Sequence, residues 1–297
     1  MAQDKPRIGW IGTGIMGNPM CGHLMDAGYR LIVFTRTRQK AQNLIERGAR
    51  WVNSAKFVAE ESDIVFTMVS YPQDVRDVVL GRDGVLFGLK KHGIIVDMTT
   101  SSPGLAEEIY AEAVKKNCTS LDAPVSGGDV GARNATLSIM AGGDRAAFEQ
   151  VLPLFRLMGD KINYMGSAGK GQHTKMANQI HIATTMIGAV ESLLYAYRAG
   201  LDLDEVITAI GSGAAGSWTI NNLGPRIVKR NFEPGFIIEH FIKDMGIALE
   251  EAERMDLSLP GLAMAHQFYV AARALGLGKN GTHALALVFE KMNGIER

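Results

Sequence analysis

The stretch "WIGTGIMGNPM" (Trp10–Met20) sets Gly12, Gly14 and Gly17 in G-x-G-x-x-G spacing, after an apolar run and before a helical pattern. Few local patterns restrict a fold as much. The first glycine permits a tight strand-to-helix turn, and the second lets a pyrophosphate approach the backbone. The third lets helix and strand pack closely, while the helix start offers free N–H groups to an anion. Ile15 and Met16 complete the turn. Standing alone, the spacing also suits an ordinary glycine-rich turn, so its context decides. Buried strands are predicted at Arg7–Gly12, Leu31–Phe34, Asp63–Val69 and Gly93–Met98, and strand-like runs at Thr119–Pro124 and Leu137–Gly143. Helical patterns at Asn18–Ala27, Gln39–Arg47 and Leu105–Lys116 lie between them. Such alternation predicts a doubly wound, mainly parallel α/β sheet that binds a dinucleotide.

Past Tyr164 the texture changes, and no further strand is predicted. Helical stretches follow at Gln172–Ala199, Asp204–Ile210, Trp218–Arg230, His240–Met255, Gly261–Leu275 and Thr282–Met292, separated by Gly- or Pro-bearing loops. The 297 residues suit two domains. We expect a Rossmann-type dinucleotide-binding domain over 1–166 and an all-helical substrate and oligomerisation domain over 167–297. The joining helix would run about 42 Å at 1.5 Å per residue.

Composition narrows the partners. Thirty-one basic residues balance 31 acidic ones, so nothing favours nucleic acid or an acidic membrane. No run approaches the ~20 apolar residues of a membrane span. Asp4 followed directly by a strand is not a signal-peptide pattern. Cys21 and Cys118 form no metal-ligand cluster and suit a reducing, cytoplasmic setting.

Several segments carry chemistry. "VFTRTRQK" (Val33–Lys40) ends the second strand with Thr35, Arg36, Thr37 and Arg38 and no carboxylate. An acid there would hold the ribose 2′-OH of NAD; Arg36 with a hydroxyl suits the 2′-phosphate of NADP(H). The reading therefore favours NADP with NAD possible, although both arginines also suit a plain surface loop. Thr100, in "VDMTTSSP", is placed to reach a nicotinamide ribose, while Ser101 or Ser102 suits a helix N-cap. In "DAPVSGGDVG", Ser126, Gly127 and Gly128 offer backbone N–H groups to a small carboxylate, or form a simple loop. Lys175 opens an apolar helical stretch with Asn178 and Gln179 three and four positions on. A lysine there snorkels, or it is tuned by burial and the helix field for proton transfer. The residues leave both open.

With these segments in order, the chain resembles the β-hydroxyacid dehydrogenase family, which includes 3-hydroxyisobutyrate dehydrogenase and the tartronate, glyoxylate and succinic semialdehyde reductases. The resemblance spans essentially the whole chain and rests on "GTGIMGNPM", "DAPVSGG", "GKGQHTKMANQ" and "FIKDMGIALEEA". It implies that Lys175 is the catalytic acid/base and that Ser126–Gly128 anchor the substrate carboxylate. It implies a substrate amide at Asn178 or Gln179; many relatives have Asn where this chain has Gln179. Lys243 matches a lysine beside the nicotinamide, with Asp244 next to it, and Val69 and Ser70 match positions flanking the cofactor. "FTRT" resembles the NADP-preferring branch, with Thr35 in place of an Asn.

The expected activity is hydride transfer between NADP(H) and a small carboxylate-bearing hydroxyacid or aldehyde. Two other classes fit the fold: a non-catalytic dinucleotide-binding module, which the presence of Lys175 argues against, and an imine reductase-like enzyme, which needs no carboxylate loop. Trp218, Phe236, Ile238 and His240 are candidates for lining a pocket, although a tryptophan such as Trp218 is more often simply core. The apolar helices 172–199 and 261–275 suggest a homodimer or homotetramer.

Overall fold

The computed structural model describes residues 5–296, so the reading of Asp4 and its neighbours lies outside the described residues. Two compact units divide at Lys175/Met176.

The first unit is built on a sheet of nine strands among the described residues: β1 (Ile8–Ile11), β2 (Leu31–Phe34), β3 (Arg50–Trp51), β4 (Ile64–Thr67), β5 (Ile94–Asp97), β6 (Thr119–Asp122), β7 (Val125–Ser126), β8 (Leu137–Gly143) and β9 (Gly159–Gly166). Its order is β3-β2-β1-β4-β5-β6-β8-β7, with β9 also on β8. Strands β1 to β6 pair in parallel, β8 runs antiparallel to β6 and β7, and β9 is parallel to β8.

Parallel strands joined by helices bury both faces, so their residues divide by parity. Ile8, Trp10, Leu31, Val33, Ile64, Phe66, Ile94 and Val96 enter one core, beneath α1 (Gly17–Asp26), α2 (Gln42–Glu46), α6 (Gly128–Asn134) and α7 (Arg145–Phe155). Ile11, Ile32, Val65 and Ile95 enter the other, beneath α3 (Ala55–Glu60), α4 (Pro72–Leu80) and α5 (Pro103–Lys115). The helices start where side chains accept their free N–H groups. Ser54 takes Phe57 N–H, Ser102 takes Leu105 N–H with Pro103 following, and Asp144 takes Ala147 N–H.

The second unit is helical. α8 (Lys170–Arg198) begins in the first unit and continues into the second, followed by α9 (Leu203–Gly211), α10 (Gly224–Val228), α11 (Ile238–Arg254), α12 (Pro260–Ala274) and α13 (Leu285–Met292). Its core gathers Met186, Val190 and Leu193 of α8 with Phe241 and Met245 of α11, Tyr269 of α12 and Phe289 of α13.

Three sequence expectations are corrected. β9, in "GDKINYMG", was not anticipated: its side chains alternate between half-buried and exposed, and it exists through pairing with β8. The stretch expected as one helix over Trp218–Arg230 opens with a π-helical turn, Thr219–Leu223, before α10. Trp218 is no core residue, being 68% exposed.

Candidate active site

The sheet order reverses at β1, whose two neighbours are β2 and β4. Ligands of doubly wound sheets sit beyond the carboxyl ends of the strands at such a switch point. Each glycine of the turn there meets a different constraint. Gly12 has φ +94°, and a Cβ on it would run into the Met68 carbonyl oxygen. A Cβ on Gly17 would run into the Gly12 carbonyl oxygen, so this glycine lets α1 pack onto the turn. A Cβ on Gly14 would meet nothing within 4 Å. That open side is where a phosphate approaches the backbone. Met16, the N-cap of α1, makes no side-chain cap, and Thr13 Oγ1 is buried with no hydrogen-bond partner among the described residues. Open backbone, uncapped N–H groups and a spare hydroxyl fit a dinucleotide pyrophosphate. Ile15 stands exposed in the same turn.

The neighbouring strand ends hold the other expected residues. After β2, Thr35 is buried, whereas Arg36 and Thr37 are exposed. Arg36 Nη1 lies 3.2 Å from Asp74 Oδ1 while its side chain remains 80% exposed. Asp74 belongs to the first turn of α4, where its Oδ2 accepts the Tyr71 N–H at 3.1 Å. Arg38 instead covers the Trp51 ring, 5.2 Å from its centroid. Beyond β4, Val69 N–H donates to Thr99 Oγ1 at 3.0 Å, and Ser70 is half-buried. Beyond β5, Thr67 Oγ1 and Thr99 N–H donate to Asp97 Oδ1 at 2.7 and 3.1 Å. Ser102 serves as the α5 cap, and Thr100 is half-buried at the strand end.

Asp122, at the end of β6, does something the sequence reading did not assign. Its Oδ1 accepts Gly169 N–H at 2.9 Å and its Oδ2 accepts Gln172 N–H at 2.8 Å, so one buried carboxylate caps α8. Gln172 in turn donates Nε2–H to Thr99 O at 2.8 Å and accepts Ser101 N–H at 3.0 Å. β7 ends at Ser126, and α6 begins at Gly128; Gly127 and Gly128 have φ of +130° and +63°. Lys175 is 7% exposed. Because α8 starts at Lys170, Lys175 sits in the second turn rather than the first, which weakens the helix-field argument made from sequence.

In the second unit, Asn178 Nδ2–H donates to Gln179 Oε1 at 2.7 Å, and Gln179 Nε2–H donates to Asp244 Oδ2 at 2.7 Å. Asp244 Oδ1 lies 2.8 Å from Lys243 Nζ. Gln179 is 1% exposed and spent on these bonds, whereas Asn178 is half-buried.

Burial pushes the Asp122 carboxyl up to about 6, against the two N–H bonds that favour its ionised form; Asp97 adds repulsion from the adjacent strand. With the folded value above the unfolded 3.8, the folded state holds the extra proton between these values. Stability therefore falls as pH rises through that window, by on the order of 3 kcal/mol. Cys21 and Cys118 are free and buried, and burial raises both thiols, which disfavours their thiolate forms. No His/Cys/Asp/Glu group able to hold a metal occurs among the described residues, and no described helix is long and apolar enough to cross a membrane.

Fold and glycine turn together define a dinucleotide-binding domain of the Rossmann type. Residues 7–166 match the NAD binding domain of 6-phosphogluconate dehydrogenase, and residues 169–289 match the NAD-binding family of NADP-dependent 3-hydroxyisobutyrate dehydrogenase. The probable 3-hydroxyisobutyrate dehydrogenase-like 1, mitochondrial, of Arabidopsis thaliana is 57% identical over 293 residues, 98% of this chain and 87% of that protein. The 2-hydroxy-3-oxopropionate reductase of Escherichia coli is 40% identical over 96% of this chain and 98% of its own. Among solved structures, Mycobacterium tuberculosis 3-hydroxyisobutyrate dehydrogenase with L-serine superposes with a TM-score of 0.88 at 28% identity, covering 96% of this chain and 99% of that one. The chain belongs to the β-hydroxyacid dehydrogenase family, alongside the 3-hydroxyisobutyrate dehydrogenases.

Gly14→Ala is expected to leave the thermal midpoint nearly unchanged while weakening NADPH binding about tenfold or more by fluorescence titration, since only the open side is filled. Gly17→Ala is expected to destabilise the fold by about 2 kcal/mol or more, because its Cβ meets backbone. Asp122→Asn removes a titrating group. Its unfolding free energy relative to the parent protein should shift in the variant's favour by up to about 3 kcal/mol between pH 4 and pH 7, followed by urea unfolding.

Proposed function

We propose that the protein interconverts a small carboxylate-bearing 3-hydroxyacid and its aldehyde acid with NADP(H), NAD being the alternative cofactor, and that Lys175 is the general acid/base. The observation that carries this reading is the burial of Lys175 on α8, whose start is tied by Gln172 to the Thr99–Ser101 strand end. Lysines are rarely buried without a task for the charge. In reduction, Lys175 Nζ holds the proton that goes to the carbonyl oxygen; in oxidation it receives the proton of the hydroxyl. The nicotinamide supplies or accepts the hydride when bound.

The glycine turn from Gly12 through Ile15 and Met16 to Gly17 would hold the pyrophosphate. Thr35, Arg36 and Thr37 would take the 2′-phosphate, and Val69, Ser70 and Thr100 the nicotinamide ribose side. Lys243, paired with Asp244, is assigned to the nicotinamide as well. Ser126, Gly127 and Gly128 would bind the substrate carboxylate through hydroxyl and backbone N–H. Between the two amides we assign substrate binding to Asn178, because both ends of the Gln179 amide are occupied. Gln179 then orients Asn178 and Asp244. L-serine, present with the Mycobacterium tuberculosis relative, is a carboxylate with a hydroxyl on carbon 3, which is the chemistry proposed for the substrate. The buried free thiols support the cytoplasm as the compartment. Exposed Tyr195 and Met264 on α8 and α12 support a homodimer or homotetramer.

Lys175→Ala should lower kcat by about 10²- to 10⁴-fold, the range of a lost general acid/base, with NADPH affinity nearly intact. Steady-state assays with short aldehyde acids and equilibrium titration measure the two quantities, and near-normal turnover would remove the assignment. Arg36→Ala should weaken NADPH by about tenfold or more and NADH by less than about twofold. Equal loss of both would argue against a 2′-phosphate contact.

A further inference from the structure

Buried charge that chemistry does not consume needs another explanation, and Asp122 is such a charge. It lies at the end of β6, 3% exposed, with both carboxylate oxygens committed to the backbone N–H groups of Gly169 and Gln172. The same helix start is held a second time by the Gln172 side chain, whose amide bonds to Thr99 O and Ser101 N and so brackets Thr100. Thr99 is fixed by Asp97, and Asp97 by Thr67, so the bonds continue to the carboxyl ends of β5 and β4. Backbone packing adds an independent restraint. A Cβ on Gly171 would strike the carbonyl oxygens of Met140 and Asp122, and one on Gly142 would lie 2.7 Å from Gly171 N and 2.8 Å from Ser167 O. The first turn of α8 therefore rests closely on β6 and β8, with the Asp122 carboxylate lodged at the contact.

We propose that Asp122, with Gln172, is a positioning residue: it locks the first turn of α8 onto the carboxyl edge of the sheet and so fixes the backbone that carries Lys175 one turn later. An ordinary helix cap comes from a Ser, Thr, Asn or Asp just before the helix, as Asp144 does for α7. Here the cap comes from 47 residues away and is a buried carboxylate, retained although burial works against its charged form. Two charge-assisted bonds, three residues apart at the start of the helix, hold direction as well as position, which a single acceptor does not. An acid/base group must be placed to within a fraction of an ångström, because misplacement by about 1 Å costs about 100-fold in rate.

The inference rests on the reading of Lys175 as the acid/base, so the test separates the two. Asp122→Asn keeps shape and one acceptor but turns an N–H donor toward a backbone N–H. Gly171→Ala disturbs the same contact without changing any charge. In both variants kcat should fall about 10- to 100-fold with the KM for the aldehyde acid changed less than about threefold, because positioning acts on the reacting geometry. Hydrogen–deuterium exchange over residues 167–176 should rise about tenfold, while the β1, β4 and β5 amides keep their protection. Unchanged exchange in that segment, or unchanged turnover per folded molecule in both variants, would overturn the proposal. Should Asp122→Asn fail to fold, Gly171→Ala decides by the same two measurements. Full turnover in Lys175→Ala is the separate result that removes the lysine reading, and the exchange data still decide whether Asp122 anchors the helix.

Discussion

Parallel pairing of β2, β1, β4, β5 and β6 brings all their carboxyl ends to one edge, and the glycine turn, Thr35, Val69, Thr99 and Asp122 all lie at or just beyond strand ends there. A parallel strand cannot turn straight back to its neighbour; the chain must cross over through a helix and start again from the far side. Each strand therefore delivers its last residues, and the loop after them, to the same place. The reversal at β1 opens the crevice there. Gly12, Gly14 and Gly17 satisfy three separate demands of that single turn.

Strand ends need tying, because their backbone groups and polar side chains leave the sheet ladder there. In this chain the ties run sideways: Thr67 to Asp97, Asp97 to Thr99, Thr99 to Val69 and Gln172, and Asp122 to Gly169 and Gln172. They join segments far apart in sequence into one fixed platform. Buried polar groups that are fully bonded cost little and specify one arrangement, whereas partly bonded ones cost much. Asp122 keeps its place although burial raises its carboxyl to about 6.

Much of this was legible in the sequence because the signals were local. The strands of the first half appear as short β-branched runs, and the parity of Ile8, Trp10 and Ile11 assigns them to opposite faces. Ser101 or Ser102 ahead of "PGLAEE" announces a helix start, and the structure uses Ser102 as the cap of α5. β9 was not legible, because "KINY" is too polar for a buried strand and too short on its own to announce an edge strand. Trp218 illustrates the opposite failure: a large aromatic residue suggests a core, yet exposure depends on what the rest of the unit leaves uncovered. The start of α8 was placed two residues late, since its cap is no neighbour in sequence.

Sequence by itself determined the alternation of strands and helices in the first half, the helical second half, the glycine turn and the resemblance to the family, because each is written in local runs of residues. It also placed Lys175, Asn178 and Gln179 on one helix, since spacing fixes the face of a helix. Only the tertiary structure decided what those residues are bonded to. Gln179 is spent between Asn178 and Asp244, Arg36 pairs with Asp74, and Asp122 caps a helix through Gly169, 47 residues downstream, and Gln172. Such partners are set by which surfaces meet when the hydrophobic faces are buried, and no spacing along the chain encodes a contact between elements that first approach each other in the folded sheet.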